Sequence, residues 1–281
     1  MNKGIDVSQY NGNIDWEKVK NDGIKFAIIR LGIGSDIQTQ DDKKFRENCK
    51  GAELVGIPYG IYIYSYALND NELQSEINHA VRLAKQVNPT LGVFFDMEDA
   101  DGYKKKHGLN PYANRSKLTN FCLDFMRGVS AFGYKVGVYA NYDYFKNVLN
   151  YEAIKSQGLI WYAHWGIINP MLDCTIWQYA DNGRVSGISG NVDMNYSYMS
   201  LSDTGTPEIP KEVVSYYPKY TGNLPLASAL SSLGIDSSFS NRSKIAVNNG
   251  ICSSINEYAG SYNQNIKMLN LLKSGQLKKG E

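Results

Sequence analysis

LIWYAHWGIINPMLDCTIWQYADNGRVSGISGNVDMNY, residues 159–196, is the stretch that decides the fold. It holds three strand-like runs, at 159–165, 174–180 and 191–196, joined by short loops rich in Gly, Asn and Asp. Neither loop has room for a helix. Upstream the pattern differs. Strand-like runs at 4–9, 25–33, 59–67, 91–98 and 134–141 alternate with helical patterns at 15–22, 41–54, 70–87, 114–130 and 142–156. Gly23 is a natural stop for the first of these helices. Five strand–helix units followed by three bare strands make eight strands. That count predicts a closed α/β barrel with an irregular second half, the alternative being an open α/β sheet.

In such a barrel the site forms at the C-terminal strand ends. The run LGVFFDMEDA (91–100) ends the fourth strand with Asp96 and Glu98, one residue apart. On a strand, positions i and i+2 share a face, so the two carboxyls are expected to point together, with one pKa raised by the other's charge. Asp6 falls in the first strand and Asp193 in the eighth, which are neighbours once the barrel closes. Four carboxyls converging on one mouth say more than a lone D-x-E. Aromatics gather near the same rim. Tyr62, Tyr64 and Tyr66 alternate on one face, and Tyr139, Trp161, Trp165, Trp177 and Tyr179 come from later strands. Flat amphipathic rings around an acidic groove suit sugar rings.

A glycosidic bond needs a proton on the leaving oxygen and negative charge near the developing oxocarbenium ion. Glu98, with the longer side chain, is expected to be the general acid, held protonated by an ionised Asp96. Asp96 either attacks the anomeric carbon or stabilises a substrate N-acetyl group that does. Asp6 and Asp193 would orient and tune the pair. Clustered acids can also bind metal, but the chain has no phosphate-binding loop and no EF-hand, so neither metal nor cofactor is expected.

The whole chain sets further bounds. It has 281 residues, 43% hydrophobic, enough for one large domain and a small one. Net charge is +1, which gives no basic face for nucleic acid. No run approaches the length of a membrane span, and MNKGIDVSQYNG lacks the apolar stretch of a secretion leader. The expectation is therefore a protein made in the cytoplasm that reaches its substrate after release. Cys49, Cys122, Cys174 and Cys252 are scattered, without metal or disulfide-framework spacing. His79 sits in a helical pattern and His107 in a basic loop, and neither reads as a catalytic base.

GIDVSQYNGNIDWEKVKNDGIKFAIIRLGIG, GIPYGIYIYSYA, FFDMED, GVYANYDYF, LIWYAHWG and IWQYADNGRVSGISGNVDMN, in that order, resemble the glycoside hydrolase family 25 lysozymes over roughly residues 4–197. The resemblance implies a flattened TIM-like barrel of eight strands and five helices. It also implies cleavage of the β-1,4 bond between N-acetylmuramic acid and N-acetylglucosamine of bacterial peptidoglycan, with retention. The family's acids fall on Asp6, Asp96, Glu98 (the proton donor) and Asp193. Its groove residues fall on Arg30, Tyr62, Tyr139, Trp177, Gln178 and Tyr179. One departure is Ile63, where many members have His, which implies altered subsites. The nearest other enzyme class is a chitinase-like hydrolase, and the nearest non-enzyme is a wall-binding protein on an inactive scaffold.

These motifs assign 1–199 to the catalytic barrel, 200–212 to a linker and 213–281 to a small mainly helical module. From Lys211 onward there are eight Lys/Arg and four Asp/Glu, a net of +4, and the remainder carries 21 and 24, a net of −3. Helical runs are expected to stop at Gly234, Gly250 and Gly275, the last starting from a Ser261 cap. The segment resembles the C-terminal modules of Gram-positive wall hydrolases, implying wall anchoring, with a homodimer as its alternative use. Tyr216, Tyr217, Tyr220, Arg242 and Lys244 are its candidate contacts, and Met199 is a candidate internal start.

Overall fold

The computed structural model describes residues 1–201, 216–252 and 254–280. The chain divides into two compact units, Met1–Pro210 and Lys211–Glu281. The expected 200–212 linker lies, from 202 on, outside the described residues.

The first unit is the closed barrel. Its strands are β1 (Asn2–Val7), β2 (Phe26–Ile33), β3 (Tyr59–Tyr64), β4 (Val93–Asp96), β5 (Val136–Asn141), β6 (Leu159–Ala163), β7 (Ile176–Gly183) and β8 (Val192–Ser197), neighbours in sequence order all the way round. From β1 to β7 each pair is parallel. β8 is antiparallel to both β7 and β1. The 184–191 connection is too short for the crossover that a parallel pair requires, so it returns as a hairpin. As a result the start of β8, not its end, lies at the mouth formed by the C-terminal ends of the other strands.

Side-chain alternation sorts the strand residues into two layers. Phe26, Ile28, Phe94, Trp161 and Ile176 fill the barrel interior. Alternate positions such as Ile5, Ile29, Ile61, Phe95, Val138 and Ile160 pack outward beneath the helices. Glycines make room for the large interior rings. A Cβ on Gly4 would lie 2.3 Å from the Phe26 ring, and one on Gly137 would lie 2.7 Å from Phe94. Met199 and Leu201 also pack against the interior cluster, so the barrel unit extends past the expected boundary at 199.

The helices are α1 (Trp16–Asn21), α2 (Phe45–Val55), α3 (Asp70–Ala84), α4 (Tyr103–Lys106), α5 (Arg115–Ser130), α6 (Tyr142–Asn147) and α7 (Tyr151–Lys155). All five expected connections are helical. The fifth is broken in two because Asn150 caps a fresh start, accepting a hydrogen bond from the Ala153 backbone at 3.1 Å. α4 is a single turn in the 99–114 loop that periodicity does not flag.

The second unit holds α8 (Leu226–Ser232), α9 (Phe239–Asn248) and α10 (Tyr262–Ser274). Ser261 and Gln264 form a capping box on α10, and Gly275 closes it in the left-handed conformation. Leu226, Leu230, Ile245, Met268 and Leu272 form its core. Tyr220 joins that core at 8% exposure, its hydroxyl accepting from the Leu224 backbone. It is therefore packing, not the exposed contact expected. Arg242 is half-buried and donates to the Ser237 carbonyl and the Tyr258 hydroxyl, while Tyr216 and Lys244 are exposed. None of the four cysteines is in a disulfide.

Candidate active site

The strand ends bring the four acids together. Asp6 and Asp193 sit directly opposite each other in the antiparallel β1–β8 pair. Asp96 is the last residue of β4, paired with Tyr64 on one side and Tyr139 on the other. Glu98 lies just beyond the strand and is partly exposed, whereas Asp6 and Asp96 are 6% and 5% exposed.

A hydrogen-bond network fixes Asp6. Its Oδ2 accepts from Asn195 Nδ2 at 2.7 Å and from Gln178 Nε2 at 2.9 Å. Asn195 accepts from the Trp161 indole at 2.8 Å. Gln178 accepts from the Tyr139 hydroxyl and the Trp165 indole, each at 3.1 Å. Burial pushes Asp6 up, against these donors. Asp193 is pushed up to about 9, by burial first and then by the Asp6 charge and a hydrogen bond to it. The two carboxyls therefore disfavour being ionised together, and the hydrogen bond between them is made while one keeps its proton.

Asp96 differs. Its buried Oδ1 has no hydrogen-bond partner. Burial, then the nearby Glu98, push Asp96 well above the usual carboxylate range, opposed by Lys104. Glu98 is pushed up to about 7, again by burial first, with Lys104 opposing and Asp101 adding. The expected cause of the Glu98 shift, an ionised Asp96, is thus corrected: withdrawal from water is the larger effect.

Two cavities lie by the strand ends, and Glu98 lines one of them. One, of 450 Å³, is lined by Tyr10, Arg30, Asp42, Tyr64, Tyr66 and Asp101, among others. The other, of 420 Å³, is lined by Glu98, Tyr139, Tyr142, His164 and Trp165, among others. On the first side Arg30 is held by Asp42 at 2.9 Å and lies over the Tyr10 ring, and Tyr66 donates to Asp101 at 2.8 Å. On the second, His164 stacks on Tyr142 and Trp165 is half-exposed. No group of three or more His, Cys, Asp or Glu among the described residues has the geometry to hold a metal ion.

Residues 5–188, most of the barrel, match the family described as Glycosyl hydrolases family 25. The chain belongs to that family. It is 27% identical to Lysozyme M1 of Streptomyces globisporus, over 69% of this chain and 66% of that protein. It is 26% identical to the catalytic domain of endolysin ply40 from bacteriophage P40 of Listeria monocytogenes, with a TM-score of 0.60 over 72% of this chain and 94% of the other. It is 27% identical to the modular autolysin LytC from Streptococcus pneumoniae, solved in complex with a synthetic peptidoglycan ligand, with a TM-score of 0.60 over 69% of this chain and 46% of LytC. The chain thus spans just under two thirds of Lysozyme M1 and less than half of LytC.

The family 25 barrel brings Arg30, Tyr62, Tyr64, Tyr139 and Gln178 to the mouth with the acids. It does not bring the other three expected groove residues there. Trp177 and Tyr179 alternate with Gln178, so they face outward. Trp177 packs in the helix-side core and donates to the His164 carbonyl, and Tyr179 stacks on Tyr196. Trp161 faces inward but is 1% exposed beneath Tyr62 and Tyr139, a floor and not a ligand contact. Ile63 faces the outer core, so its departure from His leaves the groove unaltered. Asn195, Asp42 and Lys104 were missed. The first was legible, since it is two residues after Asp193 on the same strand face. Of the three consecutive lysines in the loop 99–114, Lys104 is buried.

Proposed function

We propose that the chain is a peptidoglycan hydrolase of the lysozyme type. It cleaves the β-1,4 bond between N-acetylmuramic acid and N-acetylglucosamine with retention. The observation that carries this reading is a partly exposed acid, Glu98, pushed up to about 7 by burial, beside the buried Asp96 carboxyl with one unpartnered oxygen. Glu98 donates its proton to the glycosidic oxygen as the bond to the anomeric carbon breaks. Asp96 Oδ1 is suited to accept a hydrogen bond from a substrate acetamide N–H. That contact supplies its missing donor and turns the acetamide oxygen toward the anomeric carbon. Attack by that oxygen gives a cyclic oxazolinium intermediate. Water, deprotonated by Glu98, then opens it from the first face, so configuration is retained. Asp6 and Asp193 hold one negative charge below the reacting ring.

Substrate class is supported by the likeness to Lysozyme M1 and to LytC with its peptidoglycan ligand, and action as a phage endolysin by the likeness to ply40. Residues 213–281 serve as a wall-binding module, a reading supported by their separate core and net positive charge.

The test is digestion of purified Gram-positive walls, followed by borohydride reduction and mass spectrometry of the new sugar ends. Muramitol is expected. Glucosaminitol would refute the bond assignment, release from chitin oligomers would favour the chitinase-like reading, and wall binding without sugar release would favour an inactive scaffold.

A further inference from the structure

Behind the candidate acids lies a buried cation. Lys104 is 1% exposed, while its neighbours Lys105 and Lys106 are solvated. Asp99 anchors α4 by accepting from the backbone N–H groups of Lys104 at 2.6 Å and Lys105 at 3.0 Å. The Lys104 ammonium donates to the backbone carbonyl of Ser65, the residue after β3, and to that of Glu98 at 3.0 Å. It also lies 5.9 Å from the Tyr64 ring. The charged and titratable groups facing it are Glu76 from α3, Asp96 from β4, Glu98, Asp99 and Asp101 after β4, and the Cys122 thiol from α5. Glu76 is itself fully buried, accepting from Ser65 Oγ at 2.9 Å and the Tyr66 backbone at 2.6 Å. Burying an ammonium is costly unless partners compensate. An aliphatic side chain would fill the same space without that cost.

We propose that Lys104 is a positioning residue for the reaction, clamping the Glu98 backbone to the end of β3 and setting a positive charge behind Asp96. This rests on the reading of Glu98 as general acid and Asp96 as the carboxyl that works beside it. The ammonium acts on both carboxyls in one direction, favouring their ionised forms. Removing it makes Asp96 harder to ionise and lets Glu98 keep its proton longer. Both limbs of the pH–rate profile then move to higher pH.

The experiment uses the full chain on purified walls, comparing Lys104→Met, Lys104→Gln and Lys104→Arg with the wild type. It reads kcat, KM and pH–rate profiles, with circular dichroism melts to verify folding. The neutral variants are expected to keep KM within about twofold, lose about 10–100-fold in kcat, and shift both limbs upward by about half a pH unit or more. A folded neutral variant with unmoved limbs overturns the proposal. If neither neutral variant folds, Lys104→Arg decides. Its charge is kept but its larger head displaces the Glu98 carbonyl, so kcat falls with the limbs in place, and wild-type kcat overturns the proposal. Glu98→Gln runs alongside. If it stays active, the acid assignment itself fails; if it is inactive while the Lys104 limbs stay put, only this proposal fails.

Discussion

Asp6 and Asp193 face each other at one step of the β1–β8 ladder, a buried carboxyl beside a partly exposed one, joined by a hydrogen bond that needs a proton on one of them. Such a pair is stable only while one member stays protonated. It keeps one negative charge at the floor of the groove without the repulsion of two.

Asp193→Asn is expected to separate stability from activity. The Asp193 carboxyl is pushed up to about 9 in the folded chain, from an ordinary 3.8. A folded state that holds a proton the unfolded state releases loses stability as pH rises between those values. The wild type therefore melts lower at pH 8 than at pH 5, and Asp193→Asn flattens that decline while lowering kcat. A variant with the same pH-dependent melting as the wild type would remove the shared proton from the account.

Asn195→Ala tests the network under Asp6. It removes the 2.7 Å donor and leaves the Trp161 indole without its acceptor. Misplacing Asp6 is expected to cost about 10–100-fold in kcat with the substrate affinity nearly unchanged. Steady-state kinetics on solubilised wall fragments give the split, and a change confined to KM would argue that Asn195 only lines the groove.

Activity should fall as pH rises through about 7, where Glu98 loses its proton. The general acid is competent only while protonated, so the alkaline limb should approach a tenfold loss per pH unit. A rate that stays level to pH 9 would point to a different acid.

The fold was legible because strand spacing and the shift from helical to helix-free connections are local features. The three bare strands at 159–196 require the barrel to close without helices, and the short 184–191 turn reverses β8. The gathering of the four carboxyls was legible for the same reason, each sitting at a strand end or just past one. Trp177 and Tyr179 fall where the resemblance implies groove residues, but strand alternation turns Gln178, and not its neighbours, inside. Lys104 was beyond a sequence reading. A run of three lysines is ordinarily a solvated surface, and only the single turn of α4, anchored by Asp99, turns one of them inward.

The central claim is that Glu98 supplies the proton that breaks the wall's glycan chain. The most direct test is the rate of new reducing-end formation from purified walls by Glu98→Gln beside the wild type, both verified as folded. A loss of about 10²–10⁴-fold in kcat, with wall binding retained, is the predicted result. Equal rates would contradict it and move the search for the acid to Asp96, Asp6 and Asp193.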